Sequence, residues 1–224
     1  MSKDDANKSA EELAREALER GDATGWFELL YSGASQNTDA IPWADLRPHP
    51  GFDQWLTFAD TSKLGKRAAV VGCGLGDDAE ALAAKGFEVT AFDISPSAVD
   101  WAKQRFPNSS VTYQVADLLE APEDWKRAFD LVVEVYTLQA LPADIRSGAV
   151  AAVAELVAPG GILLVVCRAR EVEEPAAGPP WHLTREELGA FDHLGLEQQS
   201  FVDYIDGEEP TIRRFRVEYR RPAV

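Results

Sequence analysis

Residues 67–93 decide the fold, and they read RAAVVGCGLGDDAEALAAKGFEVTAFD. The stretch begins with a short valine-rich apolar run, which is typical of a buried parallel strand. It continues into three glycines with the spacing G-x-G-x-G: Gly72, Gly74 and Gly76. An alanine-rich helical run then stops at Gly86, and a second strand ends on Asp93. This order predicts a βαβ unit that holds a ligand at the strand ends.

The chemistry of this unit favours a nucleoside ligand. Glycines let the backbone turn sharply and approach a ligand closely, and Asp93 can accept hydrogen bonds from both hydroxyls of a ribose. In a dinucleotide-binding loop the third glycine would stand at position 77, where this chain has Asp77 followed by Asp78. Two carboxylates at a helix N-terminus would repel a pyrophosphate. The spacing therefore favours a cofactor with a sulfonium and an amino acid over NAD.

With these motifs, residues 66–161 resemble the class I S-adenosylmethionine-dependent methyltransferases, and LVAPGGILLVV at 156–166 matches their late motif. The resemblance implies a Rossmann-like α/β fold. We expect a seven-stranded, mostly parallel sheet with helices on both faces and an antiparallel C-terminal hairpin. S-adenosylmethionine is the implied cofactor, with Asp117 at its adenine amino group and Glu134 at a strand tip. The implied cofactor-binding residues of the core are Gly72, Cys73, Gly74, Gly76, Asp93, Ile94, Asp117, Leu118 and Glu134.

Residues 26–56 contain three tryptophans and three prolines but little periodicity, so we expect them to fold against the C-terminal edge of the sheet. The segment resembles the N-terminal lid of the thiopurine and thiol/halide methyltransferase group. That resemblance places Trp26 and Trp43 beside the cofactor's sulfonium, where aromatic faces favour a cation. Packing alone is the alternative for both. The family's acid after the second tryptophan is displaced here to Asp45, a candidate catalytic residue, whereas His49 between two prolines favours a structural role.

The segment after the fourth predicted strand also resembles the thiol-methylating group, and it makes Tyr136 the second candidate catalytic residue. Trp43, Tyr136 and Trp181 are the predicted walls of the acceptor chamber. The three histidines lack metal-ligand spacing and no Ser-His-Asp set stands out, so we predict no metal.

Bulk properties narrow the class of partner. With 22 basic and 38 acidic residues the net charge is -16, which disfavours nucleic acids and anionic membranes. Two cysteines make no disulfide framework, and no apolar run reaches the roughly 18 residues of a membrane helix. The charged N-terminus lacks a signal-peptide pattern, so we expect a cytoplasmic protein, as a monomer or weak dimer. Residues 9–20 favour a solvated acidic helix.

The sequence thus predicts a single domain over 1–224, with an N-terminal helix and aromatic lid in 1–65 and a cofactor-binding core in 66–224. The favoured function is S-adenosylmethionine-dependent methylation of a small molecule, with a thiol or other soft nucleophile as acceptor. Small-molecule O- or N-methylation is the alternative. An NAD-dependent oxidoreductase and a non-catalytic cofactor-binding protein are the other hypotheses.

Overall fold

The computed structural model describes residues 8–207 and 210–223. Its helices are α1 Ala10–Glu19, α2 Gly25–Ala34, α3 Pro50–Phe58, α4 Asp77–Ala84, α5 Pro96–Arg105, α6 Ala143–Leu156, α7 Arg185–Leu188 and α8 Ala190–His193. Its strands are β1 Arg67–Val71, β2 Glu88–Asp93, β3 Thr112–Val115, β4 Phe129–Val135, β5 Val157–Arg168, β6 Glu197–Ile205 and β7 Arg213–Arg220.

The seven strands form one sheet in the order β3-β2-β1-β4-β5-β7-β6. Strands β1 to β5 run parallel to one another, and β7 runs antiparallel to both β5 and β6. The predicted fold class is confirmed. Because the chain leaves β1 toward β2 and β3 and returns on the other side at β4, the strand order reverses between β1 and β4. Ligands of open α/β sheets bind beyond the carboxyl ends of the strands at such a reversal.

Apolar side chains on the two sheet faces pack against different helices. On one face, α6, α7 and α8 cover a cluster that includes Val132, Leu163 and Phe215. On the other, α3, α4 and α5 cover a cluster that includes Val70, Leu131 and Leu164. Side chains on a strand alternate between the two faces of the sheet. Glu134 is two residues from Val132 on β4, so it lies on the same face as Val132.

Strand β5 begins at Val157, five residues before Ile162, where the apolar run ILLVVC predicts that it begins. Gly160 has a φ of +78°, and the register with β4 shifts between Phe129 and Leu131, so the early half is irregular. Its backbone is paired nonetheless, because the Gly160 amide donates to the Arg221 carbonyl at 2.9 Å and the Arg221 amide donates to the Gly161 carbonyl at 3.0 Å. The Pro-Gly-Gly sequence hid this extension because glycine and proline usually end a strand.

The N-terminal segment is more ordered than the sequence predicts. Helix α1 is not a solvated helix, because Leu13, Ala14 and Ala17 are buried in a third cluster with α2 and α5. The aromatic segment, whose sequence shows little periodicity, contains two helices, α2 and α3. Helix α3 covers the sheet, and the Trp55 indole donates to Glu218 of β7 at 2.7 Å.

Candidate active site

A cavity of about 460 Å³ opens beyond the carboxyl ends of β1 to β5. Its floor is the glycine loop after β1 and the turn after β4, which meet where the strand order reverses. One side carries Asp93 at the end of β2 and Asp117 after β3. The other carries Tyr136 after β4 and Arg168 at the end of β5. The volume lies in the range of small-molecule sites.

At two positions of the loop only glycine fits, because side chains of neighbouring segments lie close to the backbone. Gly72 has a φ of +59°, and a Cβ there would collide with the Thr137 hydroxyl group. Gly74 has a φ of +49°, and a Cβ would lie 2.9 Å from the Tyr31 hydroxyl. The loop therefore lies flat between the turn after β4 and helix α2, and leaves its backbone facing the cavity.

Asp93 lines the cavity from a buried position, with 7% of its surface exposed. The Gly74 amide donates to its Oδ2 at 3.0 Å and the Ser95 amide to its Oδ1 at 2.9 Å. Burial raises the pKa of this carboxyl and the amides oppose that rise. Each oxygen keeps acceptor capacity, because a carboxylate oxygen has two lone pairs. Asp93 is thus fixed in place with acceptors available to a diol.

The two carboxylates at the start of α4 already have protein partners. Arg105 forms a two-point ion pair with Asp77 at 2.6 and 2.8 Å. The His49 amide donates to Asp78 at 2.8 Å, and burial raises the pKa of Asp78 to about 7. Asp77 is therefore neutralised, while Asp78 ties the segment before α3 to the glycine-loop helix.

Aromatic rings from the N-terminal segment form one wall. Trp26 is buried and stacks on Phe27 with ring centroids 3.9 Å apart, and Trp43 meets Trp26 edge-on at 6.1 Å. The Trp43 indole donates to the Tyr31 hydroxyl at 2.8 Å. All four rings line the cavity. The wall offers π faces to a cation, and the sequence had indicated Trp26 and Trp43 but not Phe27 or Tyr31.

Helix α2 is fixed to the core through Glu28. Its carboxylate accepts hydrogen bonds from both hydroxyls of Ser95 and Ser97 at 2.7 Å and from the Ser97 amide at 3.0 Å. These serines start α5, directly after the strand that ends on Asp93. The aromatic wall and Asp93 are therefore held by one network.

Tyr136 and His49 meet across 87 residues of sequence, with the His49 Nε2 2.6 Å from the Tyr136 hydroxyl. The Gly51 amide donates to the His49 Nδ1 at 3.1 Å, so the neutral ring carries its proton on Nε2 and donates it to Tyr136. Burial and the Arg214 charge lower the pKa of His49 to about 3. The Arg214 guanidinium also lies 5.1 Å from the Tyr136 ring centre.

Tyr136 adopts a φ of +69°, which is uncommon for a residue with a side chain. Such outliers persist where the surroundings hold them, and they cluster at functional sites. The sequence indicated Tyr136, but it assigned His49 a structural role. His49 does begin α3, and it also contacts the tyrosine hydroxyl.

Three residues indicated by the sequence lie differently from expectation. Glu134 does not line the cavity, because it points into the core beneath α6 and its Oε1 accepts the Leu138 amide at 2.9 Å. Asp45 is exposed at the cavity mouth, and the Tyr136 hydroxyl contacts His49. Trp181 is not a wall, since Pro179 and Pro180 line the cavity in its place.

The remaining indicated residues line the cavity. Cys73 does so as a thiol, because burial and Asp93 raise its pKa well above the ordinary value. The Asp117 carboxylate accepts the Leu119 amide at 2.8 Å and keeps a second oxygen toward the cavity. The others are Gly72, Gly74, Gly76, Ile94 and Leu118.

Replacing Glu134 by glutamine is expected to change how stability depends on pH. Glu134 is fully buried, and its Oε2 has no hydrogen-bond partner among the described residues. Burial raises its pKa to about 7 in the folded protein, so the stability it contributes is present at low pH and is lost as pH rises through 7. The free energy of unfolding of Glu134→Gln minus that of the parent should grow by roughly 3 kcal/mol between about pH 4 and 8.

Chemical denaturation of the ligand-free protein at several pH values measures this difference. Glu120→Gln, an exposed glutamate, is the matched control and should give a constant offset. A constant offset for Glu134→Gln as well would contradict the assigned pKa.

The sheet order, the glycine loop and the acid at the end of β2 define a class of enzyme. A family described as methyltransferase domain matches residues 69–161. The chain is a class I S-adenosylmethionine-dependent methyltransferase, and it acts on a small molecule.

Similar proteins show how far this class assignment extends. The chain is 27% identical over 200 residues to probable thiol methyltransferase 2 of Arabidopsis thaliana, covering 88% of this chain and 84% of that protein. It is 31% identical over 138 residues to a ubiquinone biosynthesis O-methyltransferase of Dechloromonas aromatica, covering 60% of this chain and 56% of that protein. The structure of the N-methyltransferase NodS from Bradyrhizobium japonicum shares the fold, with a TM-score of 0.64, 20% identity, and coverage of 86% and 96%.

Within residues 8–207 and 210–223, every helix is too short or too polar to span a bilayer. No group of three or more histidine, cysteine or acidic side chains in the same part of the chain is arranged to hold a metal ion.

Proposed function

We propose that the enzyme methylates a thiol or another soft nucleophile that ionises without help from the protein. The observation that carries the proposal is the protonation state of His49, which contacts the Tyr136 hydroxyl in the cavity. His49 has a pKa of about 3 and its Nδ1 already accepts the Gly51 amide, so at neutral pH it donates to Tyr136 and takes up no proton. A thiol is a few per cent thiolate at pH 7, whereas an alcohol is essentially un-ionised.

The residues present fit the cofactor. Asp93 would accept from the ribose hydroxyls, Asp117 would accept from the adenine amine, and the aromatic wall would lie beside the sulfonium. When bound, S-adenosylmethionine supplies an activated methyl group. Positioning and exclusion of water are then the main tasks of the chain. Cys73 does not compete as an acceptor, because its raised pKa keeps it protonated.

Similarity supports a thiol acceptor. Besides the Arabidopsis protein, thiocyanate methyltransferase 1 of Brassica oleracea is 27% identical over 173 residues, covering 76% of this chain and 72% of that protein. Both names describe sulfur acceptors. The inference from these names to this chain is part of the proposal.

Oxygen methylation is the second candidate, and Asp78 favours it. This carboxyl lines the cavity and has a pKa of about 7, so it could take the proton of a phenol. The similar ubiquinone biosynthesis O-methyltransferase makes that chemistry a reasonable rival.

A panel of matched acceptors tests the proposal. Aryl thiols should be methylated in preference to phenols and anilines of equal size, and the rate should rise with pH up to the pKa of the thiol. Activity should survive a chelator. The methylated product is measured by mass spectrometry. The amount of S-adenosylhomocysteine formed should equal the amount of this product. Preferential methylation of phenols, together with its loss in Asp78→Asn, would establish the rival function.

A further inference from the structure

Arg168 is a cation at the β5 end of the cavity, and none of the described carboxylates pairs with it. It ends β5, lines the cavity, and is half-buried. Its Nε is buried with no hydrogen-bond partner, and no carboxylate of the described residues lies within ion-pair distance of it. Arginine in such a place usually has a counter-ion, since a buried charge without one is costly.

The fold places a second arginine opposite it on the neighbouring strand. Arg168 is opposite Arg214 in the antiparallel register of β5 and β7, so both side chains leave the same face of the sheet. Like charges in opposite positions destabilise a sheet. Arg214 forms an ion pair with Asp206 through its Nε, at 2.5 Å. That carboxylate pairs with Arg214, whereas Arg168 forms no ion pair with a carboxylate of the described residues.

Other groups around Arg168 do not supply a negative charge. Gln139 accepts the Arg168 backbone amide through its Oε1 and is neutral. Arg47 lines the mouth of the same cavity as a further cation. The acids that line the cavity form no ion pair with Arg168. Asp93 and Asp117 stand at β2 and β3, on the far side of β1, Asp77 pairs with Arg105, and Asp78 accepts the His49 amide. The other two lie in the N-terminal segment: Glu11 and Asp45.

We propose that Arg168 pairs with an anionic group on the methyl acceptor, a carboxylate or a similar planar anion, and so selects negatively charged thiols. A guanidinium and a carboxylate can form two parallel hydrogen bonds, which gives orientation as well as affinity. Although the protein has a net charge of -16, this part of its cavity attracts anions. The inference rests on the proposed function and names its substrate class.

Two acceptors of equal shape test the pairing: 4-mercaptobenzoate and 4-mercaptobenzamide, at a pH where both thiols are ionised. Arg168→Gln should lower kcat/KM for the carboxylate about 10- to 150-fold, as expected for a lost hydrogen bond to a charged group, and change the amide by less than about 3-fold. Arg168→Lys should retain part of the preference, since a point charge replaces the planar fork. Arg213→Gln, which removes a half-buried arginine that pairs with Asp203 and Glu171 outside the cavity, should leave kcat/KM for both substrates unchanged.

Calorimetry separates failure of this inference from failure of the proposed function, because it needs no turnover. Benzoate should bind the S-adenosylhomocysteine complex of the parent and not that of Arg168→Gln. If benzoate binds as expected but no thiol is methylated, the proposed function fails, and Arg168 remains the site that binds an anionic acceptor of another kind. Equal losses for carboxylate and amide, or no loss, would overturn it. A fall in S-adenosylhomocysteine affinity in Arg168→Gln would also overturn it, because Arg168 would then bind the cofactor's own carboxylate.

Discussion

Replacement of Asp93 by asparagine is expected to weaken S-adenosylhomocysteine binding about 10- to 150-fold, the cost of about 1.5–3 kcal/mol for a lost hydrogen bond to a charged acceptor. Asparagine keeps the volume but presents an amide NH₂ where one carboxylate oxygen stood. Because Gly74 and Ser95 already donate to the two oxygens, a second donor faces either those amides or the ribose. The substitution thus removes an acceptor from a site made of donors.

Calorimetry with S-adenosylhomocysteine measures the loss, and Asp124→Asn, an exposed aspartate outside the cavity, is the matched control. A thermal melt must accompany it, since Asp93 also holds the glycine loop. A cofactor analogue that lacks the ribose hydroxyls makes the test specific, because it should lose little further affinity in Asp93→Asn. Unchanged affinity for the full ligand in a folded variant would remove Asp93 from the ribose site.

The sheet could be predicted because its signals are local. Strand β1, the glycine loop, α4 and β2 lie within 27 consecutive residues, and their apolar runs and helix stops can be identified from neighbouring residues alone. The N-terminal segment could not be predicted in the same way. Helix α2 buries Leu30 and Tyr31 against residues of α1 and α5, and that packing is invisible in the local pattern.

The site residues likewise divide into those that local sequence predicts and those that depend on long-range packing. Asp93 and Asp117 follow directly from strand ends, which a sequence locates. The proposed role of Arg168 could not be predicted, because it depends on the register that sets Arg168 opposite Arg214, 46 positions along the chain. The role of His49 depends in the same way on its contact with Tyr136. Glu134 shows the opposite error: it stands near a strand tip, but strand parity turns it into the core.

The second large effect is expected at Tyr136. Tyr136→Phe should lower kcat about 10- to 150-fold, the range for a lost hydrogen bond to a charged partner, while S-adenosylhomocysteine affinity stays within about 2-fold. The reason is the hydrogen bond at 2.6 Å: neutral His49 donates to the tyrosine oxygen and so holds the hydroxyl at the cavity wall. We propose that the hydroxyl held in this position orients the sulfur of the acceptor. Tyr219→Phe, which removes a buried hydroxyl that donates to Leu188 outside the cavity, should leave kcat unchanged.

His49 is expected to act through Tyr136 as a positioning residue. His49→Gln should lower kcat less than Tyr136→Phe, and the double variant should be no slower than Tyr136→Phe alone, because the histidine has nothing to position once the hydroxyl is gone. Since the pKa of His49 is about 3, its charge does not change between pH 5 and 9, and the pH–rate profiles of the parent and His49→Gln should have the same shape. A limb near pH 6 to 7 that disappears in His49→Gln would instead make His49 a proton acceptor in the reaction. Additive losses in the double variant would show that the two residues act independently.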